Sequence, residues 1–194
     1  METYRLFIAA ELPIELKAEL VAAQERLRRG NWPVKWVAPE ALHLTLRFLG
    51  DTNVERIPDL GAALGTALRR HAAMLLRLSG VGAFPNEHRP NVVWAGIGGA
   101  VAALELAQAD IEAAIIGLGI APETKPFRAH LTLGRVRREA SPEQRQRLGA
   151  AIRALPAPKP IPWALDRVVL FRSELGSDGP TYTEILDSRL RIAG

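Results

Sequence analysis

His43-Leu44-Thr45-Leu46-Arg47-Phe48 and His130-Leu131-Thr132-Leu133-Gly134-Arg135 are one short phrase written once in each half of a 194-residue chain. Each is an apolar run in which a histidine and a threonine stand two positions apart. Side chains two apart on a strand share a face. As strands, the runs turn His43 and Thr45 away from Leu44 and Leu46, and His130 and Thr132 away from Leu131 and Leu133. The leucines predict a buried sheet surface, and the histidine and hydroxyl predict a working one. A lone histidine in a strand is most often structural, and one such tripeptide says little. The repeat says more, because internal self-similarity exposes architecture. If the halves are related by a pseudo-two-fold, the two strands face each other across a cleft. Two of the four histidines in the sequence then meet there.

Outward from these runs the chain divides into recognisable elements. Residues 3–11 alternate as a strand, and Pro13 stands where a helix starts. Leu16, Leu20, Ala23 and Leu27 carry helical spacing from Ile14 to Arg29, with Gly30 as the stop. Val34 to Val37 is short and extended, and the first motif strand is expected to end at Gly50-Asp51. A helix over Ile57 to Arg70 and a strand over Met74 to Val81 follow, then a loop from Phe84 to Asn91 and a strand from Val92 to Ile97. Gly98-Gly99 opens an alanine-rich helix reaching about Leu118. After the second motif strand, Ser141-Pro142 reads as an N-cap and first helical position, with the helix ending near Leu155. Pro156 to Pro162 is a connector. Two last strands, about Ala164–Arg172 and Tyr182–Leu190, are joined by the turn Gly176-Ser177-Asp178-Gly179-Pro180. Strands mixed with four helices, without regular alternation, favour an α+β class with antiparallel sheets.

Composition narrows the field. Hydrophobic residues make up 48% of the chain, enough for a packed core, so disorder is set aside. The absence of cysteine removes disulfides and thiolate metal sites. The N-terminal residues lack a signal-peptide layout, and no apolar run approaches a membrane span, so a cytoplasmic protein is expected. A net charge of +4, carried mostly by arginine, suits an anionic substrate and equally suits a solvated surface. No His/Asp/Glu set has metal-ligand spacing, and no Gly-x-x-x-x-Gly-Lys-Ser/Thr loop is present. No metal and no other cofactor is therefore expected.

Two imidazoles flanking one atom can divide the work of proton transfer. One takes a proton from an attacking hydroxyl or water, and the other gives one to the leaving oxygen. Two threonine hydroxyls suit an anionic group held between them. A phosphodiester fits such a site, with its exchangeable P–O bonds and its anionic oxygens.

The pattern resembles the 2H phosphoesterase superfamily, named for two His-x-Thr motifs. Within it the chain is similar to the RNA 2′,3′-cyclic phosphodiesterases, historically 2′-5′ RNA ligases, the LigT branch. That branch extends the motifs to His-x-Thr-x-x-Phe and His-x-Thr-x-x-Arg, which end here in Phe48 and Arg135. Arg5-Leu6-Phe7-Ile8-Ala9, Trp36-Val37-Ala38-Pro39-Glu40, Gly82-Ala83-Phe84-Pro85-Asn86 and Arg172-Ser173-Glu174-Leu175-Gly176 carry the resemblance along the rest of the chain. It implies one domain over residues 1–194, with two lobes related by a pseudo-two-fold. Antiparallel sheets would face a central cleft, with helices outside. It also implies hydrolysis of RNA or nucleotide 2′,3′-cyclic phosphates to 2′-phosphates, with reversible 2′-5′ ligation by the same site. By this resemblance His43 protonates the departing ribose O3′, His130 activates water, Arg135 grips the phosphate and Phe48 packs on the nucleobase. Thr45 and Thr132 then bond the phosphate or fix their histidines. The motifs alone do not say which histidine is acid and which is base.

One tension remains. Phe48 and Arg135 stand five residues after their histidines, an odd offset that a regular strand would point away from the cleft. Each strand must end or bulge after its threonine, or these side chains must reach round an edge. Arg128 shares parity with His130, and Tyr182 and Arg172 are further candidates at the cleft border. His71 and His88 read as surface residues. Two other functions stand beside the first: a nucleotide- or RNA-binding module without turnover, and a phosphodiesterase for another small cyclic phosphate. The expected partner is RNA or a nucleotide, with no membrane and no protein partner, the chain acting as a monomer.

Overall fold

The computed structural model describes residues 2–176 and 179–191. Ser177 and Asp178, in the turn expected between the last two strands, lie outside the described residues. In order the elements are β1 (Thr3–Glu11), α1 (Ile14–Arg28), β2 (Val34–Trp36), β3 (His43–Asn53), α2 (Ile57–Leu68), β4 (Met74–Phe84) and β5 (Val92–Gly99). Then come α3 (Val101–Gly117), β6 (His130–Val136), α4 (Pro142–Ala154), β7 (Pro162–Leu165), β8 (Arg167–Leu175) and β9 (Pro180–Arg189). The strands form two antiparallel sheets, ordered β3-β1-β8-β9 and β2-β6-β5-β4-β7. The two motif strands, β3 and β6, fall in different sheets.

Helices cover one face of each sheet. On β1, Leu6, Ile8 and Ala10 join the main core with Val168 and Leu170 of β8. The alternate residues Phe7 and Ala9 gather with Val169 and Phe171 in a small separate cluster on the opposite face. Both faces of β1 are covered from Leu6 to Ala10, so this stretch is apolar without a break. The helix α2 packs beside α3 and against β9, while α4 packs against β4. The buried amide of Gln24 on α1 donates to the carbonyls of Val37 and Leu133, each at 2.8 Å. It ties α1 to β6, one of the motif strands. Leu44, Leu46, Leu131 and Leu133 are all 5% exposed or less. Burying each contributes about 1.5–3 kcal/mol, which holds both motif strands flat against the core.

Four local readings change. The run expected as one strand over Ala164–Arg172 is two strands in different sheets: β7 pairs with β4 and β8 with β1. No glycine or proline marks the crossing at Asp166. The strand β3 runs on to Asn53, because Gly50 takes a φ of 69° and a bulge absorbs Leu49. Gly98 and Gly99 stay in β5, and α3 starts at Val101. His71 is partly buried, with Nε2 2.9 Å from Asp110 Oδ2 of α3. The capping box at Ser141 forms as expected, with Gln144 reciprocating.

Candidate active site

The odd offset is resolved by two matching bulges. Along the β1–β3 ladder Ala9 faces Thr45 and Ile8 faces Arg47, so Leu46 is an extra residue. Along β5–β6, Trp94 faces Thr132 and Val93 faces Gly134, so Leu133 is extra. Each insertion sits three residues after its histidine and reverses the strand's parity. Phe48 and Arg135 thereby return to the face of His43, Thr45, His130 and Thr132. From each histidine onward, seven residues follow the same sequence of burial, with an exposed Phe48 or Arg135 in sixth place.

Both imidazoles are held alike. His43 Nδ1 lies 2.8 Å from the Ala41 carbonyl, and His130 Nδ1 lies 2.6 Å from the Arg128 carbonyl. A carbonyl only accepts, so Nδ1–H donates in each and Nε2 carries the free lone pair. The His43 ring sits 4.9 Å from Phe7 and edge-on to Tyr182 at 5.2 Å, while His130 is edge-on to Phe84 at 5.0 Å. Burial pushes His43 down to about 4, opposed by the Ala41 hydrogen bond and assisted by the Lys17 charge. His130 is also lowered, chiefly by burial, against the pull of the Arg128 carbonyl and with help from Arg135. Both rings are therefore neutral at pH 7 in the absence of an anion.

Around the first histidine the surface is aromatic. Phe7 touches Phe48, Phe171 and Tyr182 at centroid distances of 6.0, 5.3 and 4.9 Å. Around the second it is cationic, with Arg135 beside His130 and the Arg128 guanidinium 5.9 Å from the Phe84 ring centroid. The Arg135 charge reaches both His130 and Tyr182, and Tyr182 lies against His43. The two motifs thus border one space. Burial raises the Tyr182 phenol, against the Arg135 charge. Neither threonine hydroxyl is engaged by another group among the described residues. Arg172 is not brought in: it lies 3.9 Å over the Tyr4 ring and pairs with Glu174, on the face opposite Phe171.

Three supporting groups were not read from the sequence. Trp94 lies across Gly82, where a Cβ would stand 2.4 Å from the indole, and it backs Phe84 at 5.2 Å. Phe7 backs His43, and alternation along β1 would have placed it opposite Leu6. Arg47, buried next to Phe48, pairs with Glu112 and Glu123 and donates to the carbonyls of Phe48 and Ala121. Its only sequence signal is a charge interrupting an apolar run. Among the described residues, no group of three or more His, Cys, Asp or Glu gathers around a metal-sized site, and no helix is long and apolar enough to cross a membrane.

A two-lobed α+β fold with a His-x-Thr strand from each sheet defines a 2H-type phosphoesterase. The sequence profile of the LigT-like phosphoesterases matches residues 11–94 and 99–182, one motif in each segment, and the chain belongs to this family. It is 40% identical to an RNA 2′,3′-cyclic phosphodiesterase of Thermus thermophilus, over 96% of this chain and 90% of that one. A protein of the same name from Methanothermobacter thermautotrophicus is 31% identical, over 96% and 98% of the two chains. The crystal structure of TT0787 from Thermus thermophilus superposes with a TM-score of 0.80 at 34% identity, covering 98% of this chain and all (100%) of that one. LigT of E. coli, solved with 3′-AMP, gives 0.76 at 25% identity, covering 97% and 99%.

Proposed function

We propose that this phosphoesterase opens RNA or nucleotide 2′,3′-cyclic phosphates to 2′-phosphomonoesters by acid–base catalysis between His43 and His130, with no metal required. The observation that carries the reading is the matched pair of imidazoles, each with Nδ1 tied to a carbonyl and Nε2 left free. His130, kept neutral by burial and Arg135, takes a proton from water at Nε2. The water oxygen bonds phosphorus, and the P–O3′ bond breaks as His43 delivers a proton to O3′. His43 is neutral in the free enzyme, and the anionic phosphate raises its proton affinity when it binds. Arg135 and the two threonine hydroxyls carry the equatorial oxygens. Phe48, with Phe7 and Tyr182 behind it, offers a stacking surface for the base. E. coli LigT was crystallised with 3′-AMP, which supports a nucleotide as the ligand.

Replacing water by an RNA 5′-hydroxyl in the same in-line position gives 2′-5′ joining, and its reversal gives cleavage. We assign the whole reaction to one domain working as a monomer in the cytoplasm, in the processing of RNA ends. The test is incubation of a nucleoside 2′,3′-cyclic phosphate, with EDTA present, and phosphorus NMR of the product. A 2′-phosphate from wild type and from neither His43→Ala nor His130→Ala is the expected result. A 3′-phosphate would reverse the leaving oxygen, and turnover within tenfold of wild type in either variant would end the two-histidine mechanism.

A further inference from the structure

Beyond Arg135 the second sheet runs to a rim of cations that no carboxylate answers. Lys35 of β2 and Val92 of β5 stand directly across from Arg135 in their ladders, so the three side chains share one face. Lys35 is exposed and has no ion-pair partner among the described residues. One residue past Val92, the Asn91 carbonyl accepts from the Val136 amide at 2.9 Å and closes the end of the sheet. There a groove of about 470 Å³ opens between the β4–β5 loop and the start of α4. His88, Arg89, Asn91, Arg145 and Gln146 line it with two prolines, and no carboxylate does.

Arg145 in this groove is held only by neutral acceptors: the carbonyls of Ala140, Pro90 and Arg137 and the Asn91 side-chain oxygen. Its charge is positioned without being cancelled. Arg89, on the loop, is exposed and without an ion pair among the described residues. The first sheet is different. Its Arg167, at the start of β8, is surrounded by Glu11, Glu184 and Asp187. Cations without carboxylate partners therefore line this edge of the second sheet and continue past the catalytic phosphate.

We propose that this rim, from Lys35 to the groove over Arg89, carries the RNA chain on the 5′ side of the terminal cyclic phosphate. The favoured substrate is then an RNA end, not a mononucleotide. This inference rests on the reading of the site given above and extends it to the length of the substrate. Lysine and arginine aligned on one edge bind successive phosphates without reading bases. The groove lining holds no phenyl, phenol or indole ring, so upstream stacking is limited to His88 and the guanidinium planes and little upstream sequence preference is expected.

The experiment compares kcat/KM for a nucleoside 2′,3′-cyclic phosphate and for a short RNA ending in one, in wild type and in the Lys35→Ala, Arg89→Ala double variant. Both positions are exposed, so the fold is retained, which circular dichroism checks. Wild type is expected to favour the RNA by about tenfold at low salt, an advantage that falls as salt rises. The double variant should lose that advantage through KM, keep its turnover of the mononucleotide, and show a log–log salt slope shallower by about 1.4 for two lost contacts. Equal kcat/KM for RNA and mononucleotide in wild type would overturn the track, as would an equal loss on both substrates in the variant. A wild type that opened neither substrate would overturn the reading of the site as well.

Discussion

The two motif strands are nearly superimposable in pattern, yet they are supported in opposite ways. On β6, the residue four beyond the histidine is Gly134, and a Cβ there would stand 2.6 Å from Val34 Cγ1 and 3.0 Å from Trp36 Cε3. The neighbour β2 presses directly on it. On β3 the same place holds Arg47. That strand is the edge of its sheet, with β1 on one side only. The arginine extends to where a further strand would lie and draws in Glu112 of α3 and Glu123 of the following loop. The difference teaches that the catalytic geometry is duplicated, while its scaffolding and its recognition surfaces are not. One lobe gathers Phe7, Phe48 and Tyr182 near its histidine, and the other sets Arg128 and Arg135 near its own.

The duplication is broken hardest at the histidines. His43→Ala and His130→Ala should each lower kcat about 10²–10⁴-fold, because each removes one proton transfer from a concerted step. The double variant should be about as slow as the worse single one, since groups acting as a unit lose their value together. Steady-state rates on a nucleoside cyclic phosphate check this. Losses that multiply would show two independent sites instead of one.

The scaffolding difference is sharpened by stability. Arg47→Ala leaves Glu112, with its side chain 19% exposed, without its guanidinium, and should cost about 3–5 kcal/mol. Pairing Arg47→Met with Glu112→Leu should recover most of that, because an apolar pair of similar volume replaces the ion pair without a stranded charge. Gly134→Ala should cost less, about 1–3 kcal/mol, as Val34 and Trp36 shift to admit the methyl. Urea unfolding measures all three. An Arg47→Ala variant as stable as wild type would remove the arginine from the fold's supports.

How much of this was legible follows from range. Faces set by a period of two need only local sequence, so the histidine–threonine and leucine faces of β3 and β6 were readable, as was the Ser141 cap. A bulge is a relation between two strands, and its position at Leu46 and Leu133 depends on β1 and β5. The sequence showed only its consequence, an arginine and a phenylalanine at odd offsets. Arg47 has its acidic partners on α3 and in the loop beyond, so nothing near it in sequence announced its burial. The passage from β7 to β8 between sheets has no breaker residue at Asp166 and read as one strand. The two-lobed arrangement itself came from family resemblance, because alternation of elements leaves the topology open.

The last contrast lies in how each lobe responds to acid. An unfolded histidine takes up its proton near pH 6.5, whereas His43 in the fold does so only at about 4. Between those values the unfolded chain holds a proton that the native one lacks, so stability rises with pH across this window. Native stability from this source is complete above pH 6.5 and falls by about 3 kcal/mol on approaching pH 4. His130 is pushed in the same direction by burial and Arg135, but His43 has the large shift. Chemical denaturation at pH 7 and pH 4.5 should therefore show a smaller loss in His43→Asn than in wild type, with His130→Asn between them. An anion held between both rings reverses the effect by favouring their protonated forms. Sulfate, which does not titrate in this range, should stabilise wild type more at pH 5 than at pH 8, over and above its general salting effect in the double asparagine variant. Equal stabilisation at both pH values would mean that the two imidazoles do not share one anion, and the common cleft would have to be abandoned.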